Sequence, residues 1–146
     1  MSSEVQIGRL RADEAAGLIA LLVHARLPLE GVREHLRDAL VARADGRILG
    51  SAVLEPYGEA VLLRSVAVDE SRRGQGLGAR LTAAALDLAR QNGARRAYLL
   101  TETAGGFFER LGFRTIPREE VPDSVRASVE FTTACPASAR VMEAAL

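Results

Sequence analysis

Apolar residues recur along this chain in two rhythms, short strand-like runs and helical spacing, and the switches between them outline the fold. Residues 5–10 read as a first strand, and Asp13 is placed to cap the helix that follows, where Leu18, Leu21 and Leu22 form an apolar side. Pro28 interrupts, and residues 32–39 read as a second helix. Residues 41–44, the pair Asp45-Gly46 and residues 47–54 read as a hairpin, because Asp-Gly favours the left-handed backbone of a two-residue loop. Tyr57-Gly58 marks another turn before a strand over residues 60–68. In residues 75–91, Leu77, Leu81, Ala84 and Leu88 share one helical face, with Arg80, Asp87 and Arg90 elsewhere, and Asn92-Gly93 ends the helix. A short apolar strand over residues 97–101 and a short helix over 104–111 follow, then Gly112 and a strand at Phe113. In the tail, a helix starting at Asp123 or Ser124 precedes a last strand near residues 139–143. Hairpins around one strand-helix-strand unit are α+β in character, with helices layered on a mixed sheet.

Composition narrows the classes. The 146 residues suit one domain, and 48% hydrophobic content supports a packed core. Lys+Arg and Asp+Glu balance at 19 each, so no net charge draws the chain to nucleic acid or an anionic membrane. One cysteine, Cys135, excludes an intramolecular disulfide and a multi-thiolate metal site. His24 and His35 make no metal constellation and read as surface or core residues. Met1-Ser2-Ser3-Glu4 lacks the basic and apolar regions of a signal peptide, and no apolar run nears the ~20 residues of a membrane span. A soluble, cytoplasmic protein without metal is the expectation.

Local chemistry concentrates in Ser65-Val66-Ala67-Val68-Asp69-Glu70-Ser71-Arg72-Arg73-Gly74-Gln75-Gly76-Leu77-Gly78-Ala79-Arg80-Leu81. An apolar strand leads through a charged loop and alternating glycines into an amphipathic helix. Glycines leave backbone N–H groups uncovered where the helix dipole already favours anions, and Arg72 and Arg73 add positive charge. That is a seat for a diphosphate. A kinase-type phosphate loop would end in Gly-Lys-Ser/Thr, whereas this one has Gly78-Ala79-Arg80. A dinucleotide fold accepts Gly74-x-Gly76-x-x-Ala79 formally, but its first glycine belongs at the strand end, and here Asp69 to Arg73 intervene.

Arg73-x-x-Gly76-x-Gly78 resembles the Gln/Arg-x-x-Gly-x-Gly/Ala signature of the GNAT N-acetyltransferases. Thr101-x-x-Ala104-x-x-Phe107-Phe108-Glu109-Arg110-Leu111-Gly112-Phe113 resembles a second motif of that family at the expected separation. The resemblance covers roughly residues 5–113. It implies the GNAT fold, with Val66, Ala67, Val68, Arg73, Gly74, Gln75, Gly76, Leu77, Gly78, Ala79, Thr101, Phe107 and Phe108 holding acetyl-CoA where two strands splay apart. Backbone N–H groups of residues 66–68, Val66 among them, would face the thioester. A donor aimed at a developing oxyanion contributes roughly 3 kcal/mol to such catalysis.

One departure from the family pattern concerns the leaving-group acid. The usual tyrosine position is filled by Phe108, which donates no proton and takes a packing role. A thiol of pKa near ~8.5 leaves readily as thiolate, and Ser138 or water could serve it. Glu102, at the C-terminal end of the strand beside the donor, is the candidate general base; its alternative is an exposed loop carboxylate. Cys135 reads as a small buried hydrophobe.

The tail, with its Pro122-Asp123 helix start, Arg126 and terminal strand, resembles the acetyltransferase domain of N-acetylglutamate synthases. It looks closer still to the ArsN-type small acetyltransferases encoded with arsenic-resistance genes. Both resemblances imply an acceptor with an α-carboxylate, which an arginine fork would hold. Arg64 and Arg126 are the candidates, with Arg114 and Arg140 in reserve; a solvated surface charge is the alternative for each. The expectation is an acetyl-CoA-dependent N-acetyltransferase for a glutamate-like amine in arsenical or related toxin resistance, acting by direct attack in a ternary complex. N-acetylglutamate synthesis and a non-catalytic acyl-CoA sensor are the rivals. Family relatives pair through their last strands, so residues 141–146 would permit a homodimer.

Overall fold

The computed structural model describes residues 4–146. Seven strands form one sheet: β1 (Gln6–Arg9), β2 (Ala39–Ala44), β3 (Arg47–Tyr57), β4 (Ala60–Val68), β5 (Arg96–Thr101), β6 (Arg114–Thr115) and β7 (Arg140–Ala145). Their order is β1-β2-β3-β4-β5-β7-β6, and every pairing is antiparallel except β4 with β5. The α-helices are α1 (Ala15–His24), α2 (Leu77–Gln91), α3 (Gly105–Glu109) and α4 (Asp123–Arg126).

Both faces of the sheet are covered, which is why its middle strands read as continuous apolar runs. On one face α2 packs Leu77, Leu81, Ala85, Leu86 and Ala89 onto Leu40, Ala42, Leu54, Val61 and Leu63. On the other, Leu18, Leu21 and Leu22 of α1 meet Val41 and Val53, and α4 places Val125 against Leu62 and Tyr98. Successive residues such as Val61 and Leu62 thus serve different layers, as strand geometry requires. Burying one Leu side chain stabilises by roughly 1.5–3 kcal/mol, so the α2 stripe alone is a major source of stability.

The Asp45-Gly46 turn closes the β2–β3 hairpin as expected, with φ of 53° and 72°. Other expectations need correction. Residues 32–39 form no α-helix: a 3₁₀ turn over Arg33–Asp38 is broken at His35, and Ala39 already belongs to β2. Six residues are too few to offset helix nucleation against a competing strand. Asp13 caps nothing; Glu14 does the work, accepting the Arg11 N–H at 2.7 Å and the Arg43 guanidinium at 2.6 Å. The α2 stripe centres on Leu81, Ala85 and Ala89, leaving Ala84 and Leu88 half-buried at its margin. Phe113 is a core residue just before β6. The last strand runs two residues past the expected end, and it is an interior strand: Val141, Met142 and Ala144 are buried between neighbours within the chain. The sheet edge on that side is the short β6 instead.

Candidate active site

Parallel pairing of β4 with β5 stops at Leu62 opposite Tyr98, although the strands run on to Val68 and Thr101. Their continuing ends form a fork, and the β4 edge past Leu62 carries no ladder to β5. A β-bulge in β4 strengthens the divergence. Ser51 pairs with Ala67 and Val53 with Arg64, so Ala52 faces two residues, Ser65 and Val66. Ser65 adopts the left-handed region at φ 56°, which costs about 1 kcal/mol or more for a non-glycine residue. Its carbonyl, turned off the ladder, accepts the Ser51 hydroxyl at 2.7 Å.

A cavity of about 840 Å³ opens at the fork. One end is the glycine loop. Asp69 braces it by accepting the Ser71 N–H and hydroxyl at 3.1 and 2.5 Å, and those bonds hold its carboxyl below the usual range. Arg73 donates from Nε to the Val68 carbonyl at 3.3 Å. Gly76 precedes α2 at φ 78°, a conformation a side chain would strain. At Gly78 a Cβ would come within 3.3 Å of the Phe107 ring and 3.5 Å of Val68, so a side chain there would crowd that wall. The 15-residue α2 points its free first-turn N–H groups here. These features fit a diphosphate-bearing donor. Next to them Phe107, Phe108 and Phe113 stack edge to face, with centroids 5.0 and 5.8 Å apart. Phe108 is buried, and its backbone N–H is bonded to Ala104.

The other end is polar, and its Arg26 and Glu130, with the Arg64 partner Glu55, belong to no sequence motif. Arg64 is sealed from solvent: Nη1 donates to Glu55 at 2.8 Å, Nη2 to the Pro28 carbonyl at 3.1 Å, and Nε to Ser65 Oγ at 3.2 Å. Glu55 also accepts the Tyr57 and Ser128 hydroxyls at 2.5 and 2.7 Å, with His35 at 3.8 Å. Burial pushes the Glu55 carboxyl up, but these donors outweigh it and hold it below the ordinary range, while the Tyr57 phenol rises to about 12. Glu130 lies 3.4 Å from Arg64 and is also buried. It shares a charge already committed to Glu55, so burial prevails and raises its pKa. Burial beside Glu130 lifts the Cys135 thiol to about 12. Both Glu130 and Cys135 line the cavity, as do Arg26, Arg64 and Glu102.

The expected site residues therefore divide. The cavity brings together Val66, Ala67, Val68, Arg73, Gly74, Gly76, Leu77, Gly78, Ala79, Thr101, Glu102, Phe107 and Phe108. Gln75 is exposed and outside its lining, and so is Ser138, although the neighbouring Ala139 contributes. Arg126 is ion-paired to Asp123 and does not line the cavity. Arg114 pairs with Glu143 at 3.0 Å and Arg140 with Glu109 at 2.9 Å. At the polar end lies Arg26, in the loop after α1 at φ 58°; among the described residues its guanidinium has no ion-pair partner.

A mixed sheet forked beside a glycine-lined helix N-terminus frames a site suited to a diphosphate-bearing ligand. The chain belongs to the GNAT acetyltransferase family: the model of the acetyltransferase (GNAT) domain matches residues 35–115. An uncharacterized N-acetyltransferase of Chlorobaculum tepidum is 32% identical over 66% of this chain and 63% of its own length. An amino-acid acetyltransferase of Neisseria meningitidis is 30% identical over 66% of this chain, which spans 23% of that protein. This chain thus spans less than two thirds of either relative. In fold it is similar to N-acetylglutamate synthase from Neisseria gonorrhoeae complexed with coenzyme A and N-acetyl-glutamate, at TM-score 0.84 and 22% identity, covering 100% of this chain and 36% of that one. Rv2747 from Mycobacterium tuberculosis, in complex with CoA, has TM-score 0.82 and 22% identity over 97% of this chain and 99% of its own.

Proposed function

We propose that the chain is an acetyl-CoA-dependent N-acetyltransferase acting on the α-amine of a small glutamate-like amino acid. The observation that carries this reading is the single cavity joining the glycine loop, the β4–β5 fork and a polar end with carboxylates and a free arginine. The donor's diphosphate would rest on the α2 N-terminus and Arg73, and its thioester at Val66 to Val68. The amine attacks the thioester carbon, the new C–N bond forms, and the thiolate of coenzyme A departs with one amine proton. Positioning of the two reactants accounts for a large share of the acceleration. Direct attack is supported by Cys135, the one thiol at the cavity: at a pKa of about 12 it is protonated and a poor acyl acceptor.

An acceptor carboxylate fits Arg26 better than Arg64 or Arg126, both already paired. The amino-acid acetyltransferase relatives support an amino-acid acceptor and favour N-acetylglutamate synthesis as a second reading. Resistance to arsenical or related toxic amino acids rests on the tail resemblance. The test is coenzyme A release from acetyl-CoA across L-glutamate, phosphinothricin, arsinothricin, other amino acids and a lysine peptide. Saturable turnover on one carboxylated amine supports the reading and selects between its two forms. Bound acetyl-CoA with no turnover on any amine overturns it in favour of an acyl-CoA sensor.

A further inference from the structure

We propose that Glu130, rather than the exposed Glu102, is the catalytic base that takes the proton from the acceptor's ammonium. This rests on the acetyltransferase reading above and assigns one role within it.

The first argument is position. Glu130 lines the acceptor end of the cavity yet is only 4% exposed, so its carboxylate meets the cavity and little bulk water. Glu102 lines the same cavity as an exposed residue. A carboxylate in a water-poor site responds more strongly to a cation placed beside it, because the local dielectric is low.

The second argument is unused hydrogen-bonding capacity. Arg64 gives its short bonds to Glu55, Pro28 and Ser65, and reaches Glu130 only at ion-pair distance, 3.4 Å. Among the described residues the other partner of the Glu130 carboxyl is the Cys135 thiol, a weak donor. Glu55, by contrast, already receives Arg64, Tyr57 and Ser128 and is not among the residues lining the cavity. Of the two buried carboxylates on Arg64, Glu55 lies off the cavity and Glu130 belongs to its lining.

The third argument is the backbone. Glu130 begins a π-helical turn, Glu130–Ala134, and its carbonyl accepts the Cys135 N–H at 3.1 Å. Such turns gather at functional sites. The Glu130 N–H donates to Ser128 Oγ at 3.2 Å, and that hydroxyl donates to Glu55. The base is thereby tied to the same anchor as Arg64.

Charged and titratable groups facing Glu130 come from every neighbouring element: Arg64 on β4, Glu55 on β3 with His35 beside it, Glu30 in the loop after α1, and Cys135 in the tail. Burial and the two glutamates raise its pKa while Arg64 opposes. A raised carboxyl pKa brings the base closer to the amine whose proton it must take. In the step, the ammonium N–H bond breaks and the proton passes to a Glu130 oxygen, leaving neutral amine and neutral carboxylic acid. After transfer, the second amine proton leaves with coenzyme A as its thiol, and Glu130 returns its proton to water.

The test is the pH profile of kcat for wild type, Glu130→Gln and Glu102→Gln, using whichever amine turns over. Glu130→Gln is expected to lower kcat by roughly 10²–10⁴-fold and remove the acid limb, with acetyl-CoA binding and thermal midpoint as folding controls. In wild type the limb should stay in place when the acceptor is exchanged for one with a less basic amine, a readout that needs no variant. An acid limb that moves with the amine, or one kept in Glu130→Gln and lost in Glu102→Gln, overturns the proposal while leaving the enzyme reading intact. Absence of turnover in wild type on every amine overturns that reading and this one with it.

Discussion

Arg64 Nη1 and Glu55 Oε2 sit 2.8 Å apart with side-chain exposures of 0% and 1%, an ion pair closed off inside a sheet. Removing one partner of such a pair leaves the other as an uncompensated buried charge. Arg64→Ala strands Glu55 and Glu130 together, so it should cost about 3–5 kcal/mol of stability. A urea unfolding series checks this. A variant with an unchanged midpoint and a raised acceptor KM would show instead that Arg64 serves the ligand directly.

Arg26→Ala should act in the opposite way. Arg26 lines the cavity without an ion-pair partner among the described residues, so stability should hold while KM for a carboxylated acceptor rises roughly 10- to 100-fold, the value of a charged hydrogen bond. Arg126→Ala, removing a side chain already held by Asp123 outside the cavity, should shift KM less. Steady-state kinetics on both variants decides.

Gly78→Val should close the wall between Phe107 and Val68, where even a Cβ would come within 3.3 Å. The expected result is acetyl-CoA affinity lowered at least tenfold, about 1.4 kcal/mol. Calorimetric titration with acetyl-CoA measures it, and unchanged affinity would place the donor elsewhere.

Cys135 should resist thiol reagents. A pKa of about 12 leaves a thiolate fraction on the order of 10⁻⁴ or less at neutral pH. Labelling should therefore be slow in the native protein and fast in denaturant, and mass spectrometry after incubation with acetyl-CoA should find no acetyl group on this residue.

Glu14 ties the start of α1 to β2 through Arg43, whose hydrogen bond holds the carboxyl below its ordinary pKa. A depressed folded pKa adds stability above the unfolded value near ~4.3, lost as pH falls through the lower folded value. Glu14→Gln should cost about 1–2 kcal/mol at pH 7 and flatten the loss of stability below pH ~4. Thermal midpoints measured across that range test the sign.

Much of the fold is legible in residue order. The Asp45-Gly46 turn, the β4 run and the glycine loop each carry local chemistry that allows one backbone conformation. The glycine-loop end of the cavity is legible for the same reason, following two stretches that are local in sequence, Val66 to Ala79 and Thr101 to Phe108. The acceptor end is not. It is assembled from Arg26, Arg64, Glu102, Glu130 and Cys135, which only the tertiary fold brings together. Arg64 shows the difficulty: in a strand covered on both faces, alternation does not tell whether a charge faces a ligand or a buried counter-ion. Glu130 offered one faint signal, a carboxylate between Val129 and Phe131 in an otherwise uncharged stretch.

The place of β7 between β5 and β6 has a bearing on how the chain acquires its shape. Arg140–Ala145 follows both of its neighbours in sequence yet completes two ladders, pairing six residues with β5 and two with β6. Until it arrives, β5 presents a bare edge and β6 has no neighbour, so a nascent chain halted before Arg140 would expose the surface that invites strand-to-strand clumping. Completion of the sheet therefore waits on β7, and losing that strand would harm the whole sheet rather than merely shorten it.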